Sequence, residues 1–188
     1  MAGLRASALA QRAQRVRLVA LDVDGVLTDG RLYFGLRGEA LKAFDVRDGL
    51  GIKLLRDVGI EVAIVTGRSS RIVAARARDL GIEKVLQGQR DKHACLRRLL
   101  ADAQVSERQC AYMGDDWPDL PALAAVGLAA TVADAPEEIK RQVHWVAPSP
   151  GGRGAVRDLA QLLLRAQGHF DRLLGAARQP AASQLAHG

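Results

Sequence analysis

The chain has 188 residues, 48% of them apolar and 26% charged, the composition of one compact globular domain. Of its net charge of +6, four charges come from Arg5, Arg12, Arg15 and Arg17, and two from Arg165, Arg172 and Arg178 set against Asp171. The neutral stretch between, with aromatic residues at 4%, offers neither a basic groove nor a stacking platform, so no nucleic-acid partner is expected.

In chain order, residues 1–16 read as an N-terminal arm, either a short amphipathic helix or a frayed end. Its Arg- and Ala-rich, acid-free composition is also that of an organellar transit peptide, but it has no apolar region of a secretory signal. A strand is predicted at Arg17–Val23, followed by a β-hairpin in which Arg31–Phe34 and Ala40–Phe44 flank the glycine-bearing turn Gly35-Leu36-Arg37-Gly38. Then come a helix near Gly49–Val58, a strand at Ile60–Val65, a helix at Ser70–Leu80 and a strand at Lys84–Gln87. A helix at Asp91–Ala103, a strand at Cys110–Met113 and a short helix near Leu120–Ala125 follow. Strands near Leu128–Thr131 and His144–Val146 and a helix from Ala155 to about Gln167 complete residues 17–168, a single domain with its hairpin at 31–44. Residues 169–188 read as a second short helix and a disordered tail, Pro180–Gly188. Strands alternating with helices imply a doubly wound α/β fold: a mainly parallel, Rossmann-like sheet with a small β-hairpin insertion. No run approaches the roughly 18 apolar residues of a membrane-spanning helix, so no membrane partner is expected. Cys95 and Cys110 read as buried, reduced thiols, the usual state in the cytoplasm, and the four histidines show no zinc-ligand spacing.

The chemistry is concentrated where strands end. Asp22-Val23-Asp24-Gly25 follows the apolar run Leu18–Leu21. Residues two apart on an extended strand share a face, so Asp22 and Asp24 can converge on one ligand as a cation site, an acid/base pair, or both. Thr66-Gly67-Arg68 follows Ile60–Val65, Asp91-Lys92 follows Lys84–Gln87, and Gly114-Asp115-Asp116-Trp117-Pro118-Asp119 follows Cys110–Met113. Such an edge suits phosphoryl transfer through a carboxylate. An Asp can form an aspartyl-phosphate, Mg²⁺ binds through one or two carboxylates and the substrate phosphate, and a hydroxyl and a lysine hold the phosphoryl oxygens. A turn at Asp22–Gly25 and a solvated Lys92 at a helix start are the plain alternatives.

On these motifs the chain resembles phosphatases of the haloacid-dehalogenase superfamily. More narrowly it is similar to the family of 3-deoxy-D-manno-octulosonate 8-phosphate phosphatases. The narrower match is carried by Asp22–Gly30, Phe44–Gly49, Glu61–Arg68, Leu86–Gln89, Ala111–Asp116, Val132–Ala135 and Gly151–Arg157, and the resemblance spans roughly Val16 to Gly168. It implies Asp22 as nucleophile and metal ligand and Asp24 as general acid and base whose backbone carbonyl also meets the metal. It further implies Asp115 as the third ligand of Mg²⁺, and Thr66 and Lys92 as phosphate donors. Asp116 and Asp119 are either supports of those groups or helix-start residues, with Pro118 and Asp119 suited to a cap.

The implied substrate is a sugar-acid phosphate, anionic at both ends. Arg68 and Gly67 beside Thr66, and Arg47, Asp48 and Gly49 at a helix start, are candidate substrate-binding residues. So are Lys53 one turn later, Arg76 two turns beyond Arg68, and Arg153 in Gly151-Gly152-Arg153-Gly154. That last stretch is either a flexible connection or a mobile segment whose Arg reaches a site. Neither superfamily cap position has room for a cap domain. The resemblance therefore implies a capless enzyme whose neighbouring subunit covers the site, most simply a homotetramer built through the hairpin. Two other functions fit parts of this pattern: hydrolysis of a nine-carbon, sialic-acid-type 9-phosphate, and a phospho-accepting receiver domain of a signalling pathway.

Overall fold

The computed structural model describes residues 2–178; the tail expected at 180–188 lies outside the described residues. The elements are α1 (Ala2–Gln14), β1 (Leu18–Leu21), β2 (Tyr33–Gly35), β3 (Gly38–Leu41), α2 (Val46–Asp57), β4 (Glu61–Val65), α3 (Arg71–Asp79) and β5 (Lys84–Leu86). They continue with α4 (Lys92–Asp102), β6 (Cys110–Met113), α5 (Leu120–Ala125), β7 (Leu128–Thr131), α6 (Glu137–Lys140), β8 (Trp145–Val146), α7 (Ala155–Ala166) and α8 (Phe170–Arg178).

Six strands pair in parallel in the order β5-β4-β1-β6-β7-β8. Every residue of β1, β6 and β7 is buried, because a parallel strand covered by helices on both faces has no polar side to present. The chain leaves β1 for β4 and β5 on one side, then returns to β6 on the other. That reversal opens a crevice at the carboxyl ends of the strands, where ligands of such sheets bind. Leu21 is in register with both Ile64 and Met113, so the residues that follow all three strands emerge at one level.

The antiparallel hairpin β2-β3 stands apart from this sheet. Its turn is Leu36-Arg37, and neither residue has a positive φ. Gly38, at φ 102, supplies the left-handed residue that keeps such a turn matched to the strand twist. Leu32, Tyr33, Phe34, Leu36 and Leu41 are exposed, whereas Phe44 is half-buried against the core beneath the Arg76 guanidinium, 5.8 Å from its ring centre.

Two elements differ from expectation. Helix α2 begins at Val46, three residues before Gly49, because the Asp45 side chain caps it by accepting from the Arg47 amide at 2.7 Å. The four-residue α6, behind Pro136, is too short to show a helical period. The N-terminal arm is a helix fastened at its far end: Gln167 donates to the carbonyls of Ala13 and Val16 (3.0 and 2.9 Å), and Arg12 donates to that of Gly127 (2.6 Å). Cys95 and Cys110 are free and buried, and burial pushes the Cys110 thiol up to about 12, which leaves it inert. Among the described residues, no helix is long and apolar enough to cross a membrane.

Candidate active site

Asp22 leaves β1 at the central crevice, its amide bonded to the Met113 carbonyl at 3.0 Å. One carboxylate oxygen accepts from the Val23 amide (2.7 Å) and the other from Lys92 Nζ (2.6 Å). Lys92 is the first residue of α4, after the capping Asp91, and both it and Asp22 are buried. Asp115, just past β6, completes the corner, and Gly25 makes room for it. A side chain at Gly25, which also has φ 89, would place its Cβ 2.0 Å from an Asp115 carboxylate oxygen.

Oxygens of Asp22, Asp115 and Asp119 lie within 4.8 Å of one another. Burial, then repulsion from Asp119, pushes the carboxyl of Asp22 up to about 6; burial, then repulsion from Asp22 and Asp119, pushes that of Asp115 up to about 7, although Lys92 pulls both down. Such crowding of buried carboxyls is what added positive charge would relieve.

Asp119 is occupied differently. It is fully buried; one oxygen accepts from Lys92 Nζ (2.7 Å) and Tyr112 OH (2.6 Å), the other from the amides of Asp115 and Asp116 (3.2 and 3.3 Å). All its acceptor capacity faces protein donors, so it shapes the loop and holds Lys92 rather than presenting an oxygen to a metal. Asp116 caps the 3₁₀ turn Trp117–Asp119. Tyr112, buried in β6 amid an apolar run, gave no sign of this role in the sequence.

The Asp24 side chain turns the other way, toward the hairpin. It pairs with Lys42 Nζ and, at 3.6 Å, with Arg68 Nε. Lys42 also pairs with Glu39 at 3.0 Å, Arg68 reaches Glu39 at 3.6 Å, and the Ser70 hydroxyl bonds Glu39. Neither Lys42 nor Glu39 stood out in the sequence; a glutamate and a lysine three apart look like ordinary surface charges. Thr66, buried at the end of β4, completes the opposite wall with Gly67 and Arg68. Together with Gly30, Lys92, Asp116 and Pro118, these groups line a cleft of about 360 Å³.

A model of haloacid dehalogenase-like hydrolases matches residues 39–127. The chain is 49% identical over 166 residues to a 3-deoxy-D-manno-octulosonate 8-phosphate phosphatase of Yersinia pestis, covering 88% of this chain and 87% of that protein. The chain belongs to this phosphatase family. The crystal structure of the Moraxella catarrhalis phosphatase, in complex with magnesium, phosphate and KDO, superposes with a TM-score of 0.88 at 40% identity, covering 90% of this chain and 98% of that one. A cobalt-bound form of the Haemophilus influenzae phosphatase superposes at 0.86 with 45% identity, covering 89% and 100%. A phosphatase of this family is a hydrolase, and the receiver-domain alternative falls away.

A family metal fits the residues present. The side chains of Asp22 and Asp115, crowded and proton-hungry as they stand, would hold a divalent ion.

Several residues expected at the substrate end stand elsewhere. Asp48 is a correction: it is buried, and its oxygens accept from the amides of Gly154 (3.2 Å) and Arg157 (2.8 Å), so it caps α7. Arg47 pairs with Asp45 and donates to the Arg153 carbonyl at 2.7 Å. Arg76 pairs with Asp79 at 2.6 Å and packs its guanidinium against Gly49, where a Cβ would fall 2.4 Å from it. Lys53 is exposed on α2, and Arg153 is exposed. None of these six lines the cleft. The glycine loop is anchored: the Gly152 amide bonds the Val26 carbonyl and that of Gly151 bonds Asp134, each at 2.9 Å. A Cβ on Gly151 would fall 1.9 Å from the Gly25 carbonyl oxygen, so the loop braces the segment that follows Asp22.

Proposed function

We propose that this protein hydrolyses 3-deoxy-D-manno-octulosonate 8-phosphate to the free sugar acid and phosphate, with Mg²⁺, through an aspartyl-phosphate on Asp22. The observation that carries the reading is the convergence of Asp22, Asp24, Thr66, Lys92 and Asp115 on one cleft in a chain 40% identical to a phosphatase crystallised with magnesium, phosphate and KDO.

The steps follow from the donors and acceptors at hand. The Asp22 carboxylate attacks phosphorus, while Lys92 and the Thr66 hydroxyl hold the phosphoryl oxygens in place. Asp24 gives its proton to the departing sugar oxygen. It then takes a proton from the water that attacks the aspartyl-phosphate, which returns Asp22 and releases phosphate. A bound Mg²⁺ supplies positive charge against the phosphoryl oxygens. Arg68, at the rim of the cleft, is the cation best placed for the sugar-acid carboxylate; Arg47, Lys53, Arg76 and Arg153 serve that end only from outside the cleft of one subunit.

A homotetramer docked through the hairpin supplies the missing cover. The exposed apolar residues Leu32, Tyr33, Phe34, Leu36 and Leu41 support it, since a hairpin of this size with an uncovered apolar face is marginal alone. The buried, unpaired thiols are in keeping with a cytoplasmic enzyme.

The test is phosphate release from a panel of eight-carbon and nine-carbon sugar-acid phosphates and ordinary hexose phosphates. The highest kcat/KM is expected on the eight-carbon acid. Equal or better turnover of a hexose phosphate would refute the substrate assignment.

A further inference from the structure

Antiparallel hairpins need no buried charge, yet Lys42, just past β3, is buried. The Lys42 side chain is only 1% exposed, and an ammonium withdrawn from water is stable only when paired. Its partners are Asp24 and Glu39. Arg68 pairs with the same two carboxylates from the other side, 3.6 Å from each. Cations and anions thus alternate around a closed ring: Lys42, Asp24, Arg68 and Glu39. The Ser70 hydroxyl, which also caps α3, ties Glu39 to the start of that helix. Lys42 meets one oxygen of Asp24 and Arg68 the other, so the plane of the carboxylate is fixed from both sides.

We propose that Lys42 and Glu39 are positioning residues for the reaction, holding the Asp24 carboxylate where it serves the leaving oxygen and then the attacking water. The inference rests on the reading of Asp24 as acid and base. Lys42 and Glu39 do not line the cleft, so they act through Asp24 and not on the substrate. A group that moves protons is effective only within hydrogen-bond reach of the reacting oxygen, and such placement depends on the layer of residues behind it.

The chemistry separates this role from a merely structural one. The sugar oxygen is a poor leaving group and needs Asp24's proton; the phenolate of p-nitrophenyl phosphate leaves without one. The value of kcat/KM reports attack by Asp22 and departure of that group. Lys42→Met is therefore expected to lower kcat/KM on the sugar-acid phosphate at least about tenfold, part of the roughly 10²–10⁴ that proton transfer contributes. On p-nitrophenyl phosphate kcat/KM should stay near the wild-type value, with a burst of phenolate ahead of slow turnover as the water step lags. Mg²⁺ half-saturation and assembly size should not change. Glu39→Gln reads the same split in a milder variant should Lys42→Met fail to fold, and Lys42→Arg should restore part of it.

An equal loss on both esters, or no loss on either, overturns the proposal. Asp24→Asn serves as the reference. Full activity in that variant overturns the reading of Asp24 and this inference with it, whereas an inactive Asp24→Asn beside a fully active Lys42→Met overturns this inference alone.

Discussion

Lys92 Nζ lies 2.6 Å from Asp22 Oδ2, joining the first residue of α4 to the first residue after β1. Its other bond, 2.7 Å to Asp119, makes it the single cation in a corner of buried acids. Lys92→Met should therefore act twice. It removes a phosphate donor, so activity should fall by about 10² or more, the scale of losing one preorganised donor. It also leaves Asp22 and Asp119 buried without their counter-charge, which costs roughly 3–5 kcal/mol for a broken buried pair. Thermal melting in chelator at pH 8 should show a drop on the order of 10 °C; an unchanged melting point would show that the pair contributes no stability.

The raised acids set a second expectation. Asp22 and Asp115, pushed up to about 6 and about 7, bind protons more tightly folded than unfolded. Their contribution to stability is therefore complete below about pH 4, the ordinary carboxylate range, and is lost as pH rises through 6 to 7. A divalent ion needs both deprotonated, so it competes with protons and restores most where repulsion is greatest. Saturating Mg²⁺ should raise the melting temperature more at pH 8 than at pH 5.5. Equal shifts at the two pH values would contradict the carboxylate corner as the metal site.

The division of labour between the two first acids is testable directly. Asp22→Asn should give no phospho-enzyme with any ester. Asp24→Asn should retain Mg²⁺ binding, because its proposed metal contact is a backbone carbonyl, while turnover of the sugar-acid phosphate falls at least about 10²-fold. Quenched-flow trapping of labelled enzyme beside steady-state rates distinguishes the two, and normal turnover by Asp24→Asn would reverse the assignment.

The hairpin carries the assembly prediction. Phe34 and Leu36 are 65% and 108% exposed, so Phe34→Glu with Leu36→Glu should leave the parallel sheet intact and yield a folded monomer by light scattering. Phe44 is a poor choice for this test, since it packs on the core. A wild-type protein that is itself monomeric and fully active would exclude assembly as the source of cover.

The strand ends were legible because β1 and β6 are continuous apolar runs that stop at Asp22 and Gly114, a pattern set by local burial. Asp22, Asp24, Thr66, Lys92 and Asp115 could thus be placed on one edge before any distance was known. The ring around Asp24 was not legible. Glu39 and Lys42 acquire meaning only when the hairpin folds back onto Arg68 and Ser70, some thirty residues on. Tyr112 was hidden in the same way, as one aromatic in a buried strand whose hydroxyl meets Asp119. Asp48 misled for a related reason: an acid in the first turn of a helix reads as a ligand or a cap of its own helix, whereas here it caps α7, more than a hundred residues away.

A metal-dependent sugar-acid phosphatase working through the Asp22, Asp24 and Asp115 corner must lose its activity with its metal. Phosphate release from 3-deoxy-D-manno-octulosonate 8-phosphate, measured with Mg²⁺, after exhaustive chelation, and after Mg²⁺ is returned, tests it most directly. Rapid release, near-complete loss and full recovery are expected. Undiminished release from the chelated enzyme, or no release with Mg²⁺ present, would contradict it.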